Sequence, residues 1–297
     1  MLRISDEVRE ALESQAPVVA LETTIVAHGF PRGAGLEVGR ECESRVRAGG
    51  AVPATTAVLD GELRVGLTGT ELERVASAGA DARKAGPRDI GACIARGAIG
   101  ATTVGGTLVA CREAGLEVMG TGGIGGVHRG FDRRPDVSAD LGALAESPVL
   151  VVCSGVKSLL DVPATAEVLE TLGIPVLGWQ TDELPLFYTA HGGPPVSVRV
   201  ETSAEAAAIA RAHRRFSRSG LVLARPPLDG LDDVEPLVEE ALRQAEAKGI
   251  AGQQVTPFVL AFLHERSGGR TLEVNRRLAA DNAGLAAEVA VALSRAA

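Results

Sequence analysis

Runs of apolar, β-branched residues that stop at small or polar ones recur along the chain: PVVALETT, AVPATTAVLD, ATTVGGTLVA, LEVMGTGG, SPVLVVCSG, IPVLGWQTD, PVSVRVET and GLVLARPP. Each predicts a strand. Between them lie stretches with helical spacing of apolar positions, such as GLEVGRECESRVRAG, TELERVASA, RDIGACIARG, DVPATAEVLETLG and SAEAAAIARAHRRF. That alternation predicts an α/β layered fold with a largely parallel sheet. The opening MLRISDEVREALESQ reads as an amphipathic helix, not a signal peptide, and the chain from about Val234 onward reads as helical. No Ser/Gly/Pro linker or repeat interrupts the pattern, so a single domain over residues 1–297 is expected.

In such a sheet the ligand crevice lies beyond the carboxyl ends of the strands. The polar residues just after each run are therefore the candidates: Glu22-Thr23-Thr24, Thr102-Thr103-Val104, Thr121, Ser154 to Lys157, and Gln180-Thr181-Asp182. Composition narrows the ligand class. With 30 basic against 38 acidic side chains the net charge is −8, the wrong sign for a large nucleic-acid surface. Apolar runs such as Val149 to Cys153 are far too short for a membrane-spanning helix, so no membrane partner and a cytoplasmic location are expected. Cys42, Cys93, Cys111 and Cys153 fit neither a zinc pair nor a disulfide framework and read as reduced core residues.

The chain holds 27 Arg but only three Lys, at 84, 157 and 248. A surface cation can be either residue, whereas a reactive amine cannot be arginine, whose guanidinium stays protonated. Lys248 precedes Gly249 near a predicted helix C-terminus, where a cation suits the dipole. Lys157, in VLVVCSGVKSLLDVPAT, follows a buried strand and reads as lying at or just before the next helix N-terminus. A neutral amine is favoured there, which suits either imine formation with a sugar aldehyde or a role in anion binding or structure. Glu22 is either a proton donor with a raised pKa or a carboxylate that caps the next turn or pairs with Arg. Lys84, in DARKAGPRDIG, reads as a loop residue that contacts an anion or is simply solvated.

Eleven of the 36 glycines fall between Gly97 and Gly130. GTGGIG formally matches a dinucleotide fingerprint, but Gly126, Gly130 and Pro135 follow too closely for the helix that fingerprint requires. The segment reads as a phosphate cradle, with His128 and Arg129 as added donors, or as a tight surface turn. In FDRRPDVSADL a helix starting at Pro135 would put Asp136 and Asp140 on one face, suited to a hard divalent cation or a polyhydroxylated ligand, or else to capping. His28 lies near Glu22 in sequence. Asn275 and Asn282, the only asparagines, share a predicted helix face, and one of them is expected to give amide contacts to a base or sugar.

Taken together, ALETTIVAHGFP, KAGPRDIG, TTVGGTLV, GTGGIGGVHRG, PDVSADL, VCSGVKSLLDVPAT and TLEVNRRLAADNA resemble, in order and spacing, the pseudouridine-5′-phosphate glycosidases, also called the indigoidine synthase A family. The resemblance implies a single α/β/α three-layer domain assembling as a homotrimer. It implies a manganese-assisted lyase, with Mg²⁺ as the alternative metal, that reversibly splits pseudouridine 5′-phosphate into uracil and ribose 5-phosphate. It makes Lys157 the residue that forms an imine with C1′ of the opened ribose, and Glu22 the proton donor. It makes Lys84, Val104 (through its backbone), His128, Ser138, Ala139, Asp140 and Asn282 substrate contacts, with Asn275 a weaker candidate for the same amide. Asp136 would hold the metal. An imine-forming lyase on another phosphosugar and a non-catalytic phosphosugar-binding protein are the competing readings.

Overall fold

The apolar runs do form strands, and alternate side chains of each run enter opposite cores. In a computed structural model that describes residues 1–31, 33–133, 135–231, 233–250 and 255–295, the strands are β1 (Leu2–Ile4), β2 (Val18–Leu21), β3 (Val52–Leu59), β4 (Glu62–Val65), β5 (Arg83–Ala85), β6 (Gly100–Thr102), β7 (Val118–Gly120), β8 (Val127–His128), β9 (Leu150–Cys153), β10 (Leu160–Asp161), β11 (Val176–Trp179), β12 (Val198–Val200) and β13 (Leu221–Ala224). The principal sheet runs β1-β4-β3-β2-β7-β9-β13-β11-β12. From β3 through β2 to β12 every pairing is parallel.

Val18 and Ala20, Val151 and Cys153, and Val222 and Ala224 point into one core. Val19 and Leu21, Leu150 and Val152, and Leu221 and Leu223 point into the other. Helices Asp6–Glu13, Val104–Ala114, Ala139–Glu146 and Val162–Thr171 pack on the first face. Ala34–Ala48, Ser203–Arg214 and the long Arg270–Ser294 pack on the second. The result is one three-layer α/β/α domain, with the central strands β2, β7, β9 and β13 apolar throughout because both faces are covered. All four cysteines are free and buried.

Three expectations change in detail. ATTVGGTLVA is not one strand: β6 ends at Thr102, and a helix begins at Val104 with the Thr103 hydroxyl accepting from the Gly106 amide. A side chain at position 106 would collide with the Ala85 carbonyl, so the glycine serves close helix–strand packing. The opening segment forms β1 before its helix, with Ser5 as the N-cap. Lys84 lies in β5, which pairs with β6, and not in a loop. Both β4 and β6 run antiparallel to β3.

Candidate active site

A cavity of about 600 Å³ opens at the carboxyl ends of β2, β7 and β9, where three parallel neighbours deliver Glu22, Thr121 and the Ser154–Lys157 turn to one place. Such a crevice is the expected ligand site of an open α/β sheet. Glu22 is 7% exposed, and the Thr121 hydroxyl donates to its Oε1 at 2.5 Å. Burial pushes its carboxyl above the ordinary range, outweighing the opposing pull of Lys157, Thr121 and Lys84. Lys84 enters from β5. Burial, and next the charge of Lys157, press its ammonium below the usual lysine value, against the attraction of Asp140 and Glu22.

Lys157 also lines the cavity. Its amide donates to the Ile124 carbonyl at 3.2 Å and its carbonyl accepts from Leu160. Among the described residues it forms no ion pair. The next helix begins only at Val162, after β10, so Lys157 is not at a helix N-terminus and the dipole argument does not apply to it. Its electrostatic neighbours are Glu22 and Lys84.

The helix expected from Pro135 starts later, at Ala139, with the Ser138 hydroxyl accepting from the Asp140 amide. Asp136 therefore does not share a helix face with Asp140. Asp140 is 5% exposed, and its two carboxylate oxygens accept from the Gly105 amide at 2.8 Å and the Gly125 amide at 2.9 Å. It ties the start of the Val104–Ala114 helix to the glycine-rich loop. Position 125 must be glycine, because a side chain there would run into Ser138 and Asp140. Asp140→Asn offers one of these amides an NH₂ in place of an acceptor. It is expected to cost about 1–3 kcal/mol, visible as a melting temperature lower by several degrees.

Only part of the glycine-rich loop is open to a phosphate, with Gly122 and Gly123 on the cavity wall. The amides of Thr121, Ile124, Gly125 and Val127 already donate to Val152, Gly155, Asp140 and Thr165. A better anion corner is the meeting of Lys84 and Thr103 with the starts of the Val104–Ala114 and Ala139–Glu146 helices, Arg88 standing at its rim. Val104, an expected contact, sends its side chain into the core and is absent from the cavity wall. Ser138 and Ala139 line the same wall.

His128 and Asp136 stand side by side on the cavity wall, with Nε2 and Oδ2 3.9 Å apart, while the His128 amide donates to the Asp136 carbonyl. Burial lowers the His128 pKa, Asp136 opposing and Lys84 assisting. Among the described residues the Asp136 carboxylate accepts no hydrogen bond, and no group of three His, Cys, Asp or Glu side chains is placed to hold a metal.

A scan of family models matches residues 7–292 to the indigoidine synthase A like proteins. The chain belongs to this family. It is 50% identical over 297 residues to a pseudouridine-5′-phosphate glycosidase of Herpetosiphon aurantiacus, covering 98% of each chain. It is 46% identical to one of Sorangium cellulosum, over 99% of this chain and 94% of that one. Among solved structures, the prealnumycin C-glycosynthase in complex with ribulose 5-phosphate superposes with TM-score 0.91 at 39% identity, covering 100% of this chain and 98% of that one. An indigoidine synthase A-like protein of Thermotoga maritima gives 0.87 at 39% identity, with 94% of each chain covered.

Within this family member the weaker of the two asparagine candidates is the one that reaches the cavity. Asn282 is fully buried and absent from the cavity wall. Its Nδ2 donates to the Thr121 carbonyl at 2.9 Å and to Ser154 Oγ at 3.0 Å, pinning the ends of β7 and β9 beneath the site. Asn275, two turns earlier on the same helix, lines the cavity and is the amide available to a ligand. Gln180-Thr181-Asp182, another predicted strand-end group, lies outside the cavity. His28 does join the wall, its Nε2 bonded to the Ala82 carbonyl at 3.0 Å. Sequence reasoning missed Phe187. It lines the cavity with φ +68, packs against Gly123, and meets Tyr188 edge to face at 4.8 Å. Backbone strain of this kind collects at ligand sites. The available signal was the rare aromatic pair in LPLFYTAHGG, in a chain only 3% aromatic.

Proposed function

We propose that this protein reversibly cleaves the carbon–carbon glycosidic bond of pseudouridine 5′-phosphate, giving uracil and ribose 5-phosphate. The observation that carries the reading is the convergence of the Lys157 amine, the buried Glu22 with its raised pKa and the Lys84 corner on one cavity. A carbon leaving group gains nothing from nitrogen protonation, so the reaction needs an electron sink at C1′ and a proton for uracil C5.

In this reading the phosphate sits at Lys84 and the adjoining helix starts, and Asn275 faces the base. The Lys157 nitrogen bonds to C1′ as the C1′–O4′ bond breaks and O4′ takes the Glu22 proton. The amine then gives up a proton to the Glu22 carboxylate. When the C1′–C5 bond breaks, its electron pair stays on C5 and takes the Glu22 proton, while the nitrogen lone pair becomes the second bond of the imine. Water hydrolyses the protonated imine, freeing ribose 5-phosphate, Lys157 and a proton.

Asp136 would hold the divalent cation, Mn²⁺ or Mg²⁺, since a single accessible carboxylate beside a phosphate site suits a hard ion that keeps several waters. Such an ion would offset phosphate charge. The reading includes a homotrimer, for which the family resemblance is the support, and a cytoplasmic location, which the free, buried cysteines favour.

Incubation of the protein with pseudouridine 5′-phosphate and Mn²⁺ is expected to release free uracil, and chelation is expected to suppress it. No uracil above a protein-free control would overturn the assignment. The likeness to a structure holding ribulose 5-phosphate favours, as the second reading, an imine-forming lyase on another phosphosugar. In that case condensation products would form without uracil release.

A further inference from the structure

We propose that Glu43 and Thr55 form a proton relay that reloads Glu22 from inside the protein while substrate or product fills the cavity. The proposal rests on the lyase reading above and extends it to residues that never touch the ligand.

Glu22 stands between two cavities. Besides the large one, it walls a separate space of about 20 Å³, together with Cys42, Thr55 and Thr121. A space needs about 10–15 Å³ and two to four polar partners to hold one water. Here the partners are the Glu22 carboxyl, two hydroxyls and a thiol. Thr55, on β3 and 2% exposed, continues the line: its hydroxyl is hydrogen-bonded to Glu43 Oε1 at 2.5 Å. Glu43 lies on the Ala34–Ala48 helix and is half-buried, so it joins the interior to solvent. Burial raises its carboxyl pKa, against the pull of Thr55 and Arg47, which favours a group that carries a proton. Cys42 serves as wall and not carrier, because burial and nearby Glu41 push its thiol up to about 12.

The need arises from the reaction itself. Glu22 gives its proton to O4′, regains one from the amine and gives that one to C5, so it is left as a carboxylate while bound uracil and imine cover its large-cavity side. The relay reloads it there, and the proton set free when the imine is hydrolysed leaves to solvent. The Glu43 carboxyl gives its proton to Thr55 Oγ, the Thr55 hydroxyl proton passes to the water, and a water proton passes to the Glu22 carboxylate. Glu43, left as a carboxylate, is reprotonated by bulk solvent, and nothing is oxidised or reduced.

The test uses the full-length protein in D₂O with uracil and ribose 5-phosphate, comparing exchange of the uracil C5 hydrogen with formation of pseudouridine 5′-phosphate. In Thr55→Val and Glu43→Gln the ratio of exchange to product formation is expected to fall about tenfold, with KM little changed, because the abstracted proton is held at Glu22 and returned. Thr55→Ser is expected to restore the ratio. Glu43→Gln, at a half-exposed site, keeps the test decisive where Thr55→Val does not fold. A wild-type ratio in Glu43→Gln, whether or not kcat falls, would overturn the relay and leave a structural role. A wild-type protein that neither makes pseudouridine 5′-phosphate nor releases uracil would overturn the lyase reading itself.

Discussion

Lys157→Arg is expected to lose uracil release by at least about 10⁴-fold while still binding substrate, because guanidinium keeps the charge but not the nucleophilic lone pair. The site explains why so large an effect should come from one side chain. Lys157 lines the cavity with Glu22, and among the described residues the only other lysine on the wall, Lys84, comes from β5, at the proposed anion corner. Treatment with borohydride and ribose 5-phosphate is expected to add one stable pentose-phosphate mass to the wild-type protein at Lys157 and none to Lys157→Arg. A label on Lys84, or turnover surviving in the variant, would remove the covalent mechanism.

Glu22→Gln is expected to lower kcat by about 10²–10⁴-fold, the usual contribution of a positioned acid, and to raise thermal stability near neutral pH. The two effects share one cause. Burial lifts the folded-state pKa of Glu22 above its unfolded value of about 4.5. Below that value the carboxyl is protonated in both states and linkage contributes nothing. As pH rises from there towards the folded pKa, the unfolded state releases its proton first and the native state loses stability. Glutamine carries no such cost and keeps an oxygen for the Thr121 hydroxyl to donate to. The melting-temperature advantage of the variant should therefore appear above about pH 4.5 and vanish at lower pH. In the wild type, kcat should fall on the alkaline side as Glu22 loses its proton. Identical melting curves for both proteins across the pH range would mean that Glu22 is not held buried and protonated.

The strand runs were legible because a strand covered on both faces must be apolar at every position, and such runs are hard to mistake once glycine and proline bound them. ATTVGGTLVA was misleading for the opposite reason. Its two glycines and β-branched residues favour a strand locally, yet Thr103 caps a helix there and Gly106 allows that helix to sit against Ala85. Lys84 read as a loop residue because β5 is only three residues long and gains its place by pairing with β6. The same limit applied to the asparagines: a shared helix face says that Asn275 and Asn282 point in similar directions, but not which of them meets protein and which meets open space. Asn282 faces the ends of β7 and β9, and Asn275 faces the cavity.

What the sequence by itself determined is the layered α/β class, the family, and the short set of residue types able to do this chemistry. Those follow from local spacing, from side-chain chemistry that no other residue can replace, and from motif order. Only the tertiary structure decided that Glu22 is buried with its pKa raised, that Asp140 is held by two backbone amides, and that a second small cavity adjoins the acid. The physical reason is that burial, hydrogen-bond partnership and cavity shape are set by residues far apart in the chain, such as Glu22 with Thr121 or Thr121 with Asn282, which meet only when the sheet and its helices have closed around them.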